Sequence, residues 1–488
     1  MDDLLIALTA NVAVVVIETN DEKHACEQLL DCAQGLAKPC FKWTASDGLK
    51  GLTRGLQIIE PGQHVEPEAL LRHIKGEHKP GIYVLCDFHP YLQDGPLITR
   101  LVKDIALNHD TIGHVLVLVS HQLQLPPELL TYSIRVRLQL PSEREISEIV
   151  REEAKRWSEQ RGGRAGSDRE ALRQLVRAVR GLGHQDVRRL VRTAIFDDGV
   201  IDHSDLPAVN KAKFELMNMD GILSYEFAVE QMDQVGGLTH LKQWLADRHQ
   251  PFVHGADDSD QPKGMLLVGV QGAGKSLAAK AVAGCWQLPL LRLDFGALYN
   301  KFFGETERNL RQSLAQAEVM SPCILWLDEI EKGLATGDSD NGTSKRVLGT
   351  LLTWMAERKQ RVFMVATSND ISRLPPELLR KGRFDEIFFV DLPDATARRS
   401  IFNIHLNRRQ ISTIDFDLDL LVEASAGFSG AEIEQAVVSS FFAARAQELQ
   451  VSDQLLLSQI YQTRPLSVVM AEQITALRAW ADGRTVLA

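Results

Sequence analysis

Short apolar runs, separated by longer stretches of helical periodicity, set the layout of the chain. Residues 12–17 (VAVVVI), 82–87, 114–119 (HVLVLV), 265–268 (MLLV), 323–328 and 362–367 hold few polar positions. They predict strands buried on both faces, as in a parallel sheet. Residues 134–140 (IRVRLQL) alternate and predict a half-buried strand. Helical spacing is expected over 25–36, 97–107, 239–246, 277–283, 305–320 and 345–357. It is also expected through 143–192, where glycines at 162–166 and 181–183 break it. Strands alternating with helices predict an α/β protein with a parallel sheet.

The order of elements occurs twice. The strand at 82–87 matches 323–328, and HVLVLVSHQLQLPPELL (114–130) matches VFMVATSNDISRLPPELL (362–379), including an identical Pro-Pro-Glu-Leu-Leu. Leu140-Pro141-Ser142 matches Leu392-Pro393-Asp394, and Gly181-Leu182-Gly183 lines up with Gly427-Phe428-Ser429. Any α/β domain has strands ending in Asp and proline-rich turns, but the conserved order of the matches favours a repeat. The expected domains are 1–196, a linker at 197–230, a base at 231–392, and a helical lid and tail at 393–488. This suits 488 residues, too many for one ordinary core.

The two copies differ in chemistry. Met265 to Lys280 (MLLVGVQGAGKSLAAK) runs from a strand through Gly269-Val270-Gln271-Gly272-Ala273-Gly274-Lys275-Ser276 into a helix starting near Leu277. This is a P-loop pattern. Its glycines let backbone N–H groups curl around phosphates, the helix N-terminus adds positive potential, Lys275 reaches the β- and γ-phosphates, and Ser276 can ligate Mg²⁺. Asp328 and Glu329 end an apolar strand, where a P-loop ATPase needs one carboxylate for Mg²⁺ and one to activate water. Asn369 ends the next strand, beside the expected phosphate. Val235-Gly236-Gly237 permits a turn close to a flat ligand. The first copy has no glycine over 18–23, Phe88 after Asp87, and nothing matching 380–385. It is expected to be a degenerate module.

Taken together, GVQGAGKS, ILWLDE, VATSND, PPELLRKGRFDEIFFVDLPD and GFSGAEIEQA closely resemble the AAA clade of AAA+ ATPases, over roughly residues 225–450. The resemblance implies ATP and Mg²⁺ as cofactors, with Ser276 and Asp328 serving the metal. It implies nucleotide contacts along Gly269–Leu277, Val235, Gly236, Gly430 and Ala431. Arg380 and Arg383 are implied as arginine fingers reaching a neighbouring subunit, hence a homo-oligomeric, suspected hexameric, ring. Lys301-Phe302-Phe303-Gly304 falls where the clade has its pore loop, though core residues opening a helix would have the same composition. Longer segments, such as LDFGALYNKFFGETERNLRQSLAQAEVMSPCILWLDEIEKGL and the tail RPLSVVMAEQITALRAWADGR, resemble AAA proteins encoded by an algal plastid open reading frame, with bacterial relatives. That family has no settled substrate.

Composition narrows the use. A net charge of −11 argues against a mainly nucleic-acid-binding protein, and the arginines of 150–192 are interleaved with acids, as on a solvated helical face. No apolar run is long enough to span a bilayer, and Asp2 and Asp3 argue against a signal peptide; a bacterial cytosol is the expected setting. The 6 cysteines and 14 histidines show no metal-ligand spacing. The expected function is Mg-dependent ATP hydrolysis driving remodelling of an unidentified protein client. The alternatives are a regulatory switch acting through the first module and a nucleic-acid-associated ATPase.

Overall fold

The computed structural model describes residues 2–10, 12–53, 63–93, 95–163, 165–196, 198–217, 222–254, 261–299, 306–334 and 343–488. The chain forms two compact units, residues 1–166 with 179–200, and residues 167–178 with 201–488.

The first unit holds a sheet of β1 (Val14–Glu18), β2 (Cys40–Thr44), β3 (Gly48–Gly51), β4 (Ile82–Cys86), β5 (Val115–Ser120) and β6 (Ser133–Val136). Its spatial order is β3-β2-β4-β5-β1-β6, parallel except for the β2–β3 hairpin. The second holds β7 (Leu223–Tyr225), β8 (Gly264–Gly269), β9 (Leu290–Leu293), β10 (Cys323–Leu327), β11 (Val362–Ser368), β12 (Glu386–Val390) and β13 (Val486–Leu487), in the order β13-β12-β8-β11-β10-β9-β7. Setting the edge strands aside, β2-β4-β5-β1-β6 and β9-β10-β11-β8-β12 are the same arrangement. The register agrees as well: Cys86 pairs with Val119 as Leu327 pairs with Ala366. Asp87 therefore takes the position of Asp328, and Ser120 that of Thr367. The first unit is the degenerate copy that the repeat predicted.

Each sheet buries both faces, which explains the unbroken apolar runs. Val14, Val16, Leu116 and Leu118 pack on one side of the first sheet, and Val15, Ile17, Val117 and Val119 on the other. In the second sheet Leu266, Val268, Leu325 and Leu327 face one layer, and Met265, Leu267, Ile324 and Trp326 the other. The lid has its own core of Phe402, Leu406, Leu421, Ile433, Val437 and Leu456.

Four features depart from the sequence reading. The segment 197–230 carries the helix Leu206–Leu216 and strand β7, which pairs antiparallel with β9, so from Ile201 on it belongs to the second unit rather than to a linker. The tail is not only helical. Its last strand, β13, joins β12, while Arg478 grips Asp391 through Nε and Nη2 at 2.8 and 2.9 Å. The arginines near 150–192 are not merely a solvated face, because Arg156, Arg188 and Arg192 converge on Glu153, whose residue is only 3% exposed. Burial would raise the Glu153 pKa, but the three guanidinium groups hold it below the usual carboxylate value. Finally, donors far apart in sequence do cluster: Glu22, Cys26 and Cys86 form one group of potential metal-ligand atoms, and Asp87, His89 and His121 another. Linear spacing could not show these, because the sheet edge brings separate strand ends together.

Candidate functional site

The P-loop leaves β8 with backbone only glycine tolerates. Gly269 has φ +155°, and an added Cβ would sit 2.0 Å from the Val390 oxygen; Gly272 and Gly274 also have positive φ. The helix Lys275–Trp286 follows at once. A cavity of about 290 Å³ is lined by Gln271, Gly272, Lys275, Ser276, Asp328, Glu329, Thr367 and Asn369.

Lys275 is buried, and its Nζ donates to the Gly269 and Val270 oxygens at 2.8 Å each. Burial lowers its pKa to about 8, opposed by the carboxylates of Glu331, Glu329 and Asp328. A buried ammonium whose direct partners are two neutral backbone oxygens suits an anionic ligand.

The acidic wall is tightly held. Asp328 accepts from Thr367 Oγ1 at 2.8 Å and from Arg292 Nη2 at 3.0 Å, and the Arg292 guanidinium lies 4.9 Å from the Trp326 ring centre. Glu329 has φ +46°, an uncommon conformation outside glycine. Its backbone N–H donates to Thr367 Oγ1, and its carboxylate pairs with Asn369 Nδ2 (3.0 Å) and with Lys332. Asn369 N–H in turn donates to Glu331 Oε1 at 3.1 Å. Hard oxygen donors (Ser276 hydroxyl, Asp328 carboxylate) beside a glycine-rich anion cradle fit a Mg·nucleotide.

The lid closes on the same loop. Ala431 N–H donates to the Gly272 oxygen at 3.1 Å, and a Cβ on Gly272 would lie 3.1 Å from Ser429 Oγ. Ser429 and Glu432 form a reciprocal cap on the helix Gly430–Ala446. Val235 is buried, and a Cβ on Gly236 would strike the Ile401 side chain at 2.6 Å, so this turn packs against the lid helix Ala395–Asn407. Leu277, in the first turn after the P-loop, is half-buried.

Arg380 and Arg383 do not line the cavity. Arg380 is exposed, and Arg383 Nη1 donates to the Leu352 oxygen at 2.7 Å. Their loop is pinned to the root of β8 by Asp385, which accepts from the Lys263 and Gly264 N–H groups. Phe302, Phe303 and Gly304 lie outside the described residues. Sequence reasoning missed Thr367, Arg292 and Glu331. The available signals were a hydroxyl before Ser368-Asn369, one charge inside the apolar run Leu290-Leu291-Arg292-Leu293, and a third acid after Asp328-Glu329.

This fold and site define an ATPase of the P-loop AAA class. Residues 265–392 match the family described as "ATPase family associated with various cellular activities (AAA)". Residues 1–138 match the "SpoVK-like AAA ATPase, N-terminal domain" and 144–220 its second domain. Over nearly its whole length the chain is similar to proteins called "Uncharacterized AAA domain-containing protein ycf46". That of Trieres chinensis is 34% identical, covering 100% of this chain and 98% of the relative; that of Guillardia theta is 38% identical, covering 98% and 94%. A "Cell division cycle protein 48 homolog" of Archaeoglobus fulgidus is 34% identical over 45% of this chain and 32% of its own. The chain belongs to the ycf46 family of AAA-domain ATPases. Among the described residues no helix is long and apolar enough to cross a membrane.

Proposed function

We propose that this ATPase binds Mg·ATP in the 290 Å³ cavity and works as a ring-shaped oligomer that remodels a protein partner. The loop Gly269–Gly274 with Lys275 holds the phosphates, while Ser276 and Asp328 hold Mg²⁺, which when bound neutralises phosphate charge. Glu329 orients and deprotonates the attacking water, and Asn369 positions Glu329. Val235, Gly236, Leu277, Gly430 and Ala431 enclose the rest of the nucleotide between base and lid.

The observation that carries the assembly reading is the separation of parts. Every group of the hydrolytic set lines one cavity except Arg380 and Arg383, which lie on a braced loop elsewhere. Arginines so placed suit a phosphate held by the next subunit. A second reading, an ATP-dependent switch that engages its partner through the first module without threading it, is favoured by that module's retained fold without phosphate chemistry. Nucleic acid is disfavoured by the net charge and by the pairing of Arg156, Arg188 and Arg192 with Glu153.

The test is the solution mass of Glu329→Gln with and without Mg·ATP. Growth from 54.4 kDa to about six times that mass supports the ring. A protein that binds ATP yet stays monomeric refutes self-assembly of the isolated chain and leaves the switch.

A further inference from the structure

The degenerate module carries a polar cluster at the very edge where its active counterpart carries the acidic wall. Asp87 follows β4, His89 opens the helix His89–Gln93, and His121 follows β5. One potential ligand atom from each lies within 4.8 Å of the others. The sheet register equates Asp87 with Asp328, and the ends of parallel strands are where α/β folds place ligands.

We infer that Asp87, His89 and His121 form a binding site for a divalent transition-metal ion of the zinc class. Two imidazoles and one carboxylate suit Zn²⁺, Co²⁺ or Ni²⁺ rather than Mg²⁺, and three protein ligands leave a position for water or a partner's side chain. The site has a supporting contact. Ser120 Oγ lies 2.7 Å from His89 Nδ1, fixing the ring's orientation as outer contacts of metal-binding histidines do. The His89 and His121 rings meet edge to face at 5.0 Å, and among the described residues no lysine or arginine forms an ion pair with Asp87. Bonds of ~2.0–2.1 Å in a tetrahedron space ligand atoms roughly 3.4 Å apart. Closure thus takes small rotations of the exposed Asp87 and His121 about the anchored, half-buried His89. Such an ion would tie the ends of β4 and β5 together where the active module uses the Thr367–Asp328 hydrogen bond.

The test uses the full chain, stripped of metal, titrated with Zn²⁺ against a chromogenic chelator and with Co²⁺ followed by its visible spectrum. The wild type is expected to take up one ion that His121→Ala and Asp87→Asn lose, and Ser120→Ala is expected to weaken it about 10–100-fold. ATPase activity and thermal unfolding of the metal-free variants serve as folding controls and are expected to match the wild type. Equal zinc uptake by wild type and His121→Ala overturns the site. So does a cobalt spectrum with thiolate charge-transfer bands that survives in His121→Ala, since that would place the ion at Glu22, Cys26 and Cys86.

Discussion

In the proposed site the phosphates rest on Lys275, and its burial is expected to make binding depend on pH. Its folded-state pKa of about 8 lies below the ordinary lysine value of 10.5. Below pH 8 the ammonium is charged in both folded and unfolded chains, and the burial penalty is fully present. Between the two values the unfolded chain binds more protons, so stability of the nucleotide-free protein rises with pH. ATP binding runs the other way, because phosphate favours the ammonium and raises the bound-state pKa. Affinity is therefore expected to fall above pH 8, by up to about tenfold per pH unit. Calorimetry in buffers of different ionisation enthalpy should show net proton uptake on binding at pH 8–9; binding without uptake would disprove the assignment. At the same scale, Phe88 shows how chemistry was lost from the first module. It stands where Glu329 stands in the second, fully buried, with its ring edge to face against Trp43 at 5.3 Å.

The loop leaving β1 in the first unit and the loop leaving β8 in the second each meet a distant helix, in different ways. In the second, the Gly272 oxygen accepts from Ala431 N–H. In the first, no phosphate loop exists, and the Asp21 carboxylate does the joining. Oδ1 accepts from His24 N–H and caps the helix Glu22–Gly35, while Oδ2 accepts from Gln185 N–H at the start of the helix His184–Ile195. One fixed side-chain anion thus serves two helix N-termini. Asp21→Ala is expected to destabilise the first module by about 1–3 kcal/mol, read as a lower urea midpoint, with ATP affinity of the second unchanged. An unchanged midpoint would show that the two bonds contribute nothing net. The bond from Gln185 N–H to Asp21 spans 164 residues of sequence and depends on tertiary structure.

At the scale of the whole molecule the question is whether catalysis needs more than one chain. Arg383→Ala should lower turnover about 10³-fold, as expected for a finger at the phosphate, while ATP binding persists. Lys275→Ala should abolish binding. If the fingers act in trans, mixing these two inactive proteins restores part of the activity, because some interfaces pair an intact P-loop with an intact Arg383. No recovery, under conditions where mixed assemblies are shown to form, would sink the trans assignment.

The sequence by itself determined the fold and marked the candidate nucleotide site. Strands buried on both faces leave long apolar runs, and phosphate chemistry needs particular residues at fixed short spacings from Gly269 to Ser276. The degenerate repeat was also legible, since matched strand ends kept their order. What only the tertiary structure decided are the contacts between strand ends: Thr367 and Arg292 on Asp328, Asn369 and Lys332 on Glu329, Asp21 on Gln185, and Asp87 beside His89 and His121. The segment 197–230 and the tail belong with these, because β7 and β13 are too short to declare themselves and are strands only through β9 and β12. The physical reason is the same throughout. A parallel sheet gathers distant residues at one edge, and hydrogen bonds formed there leave no periodicity in the chain.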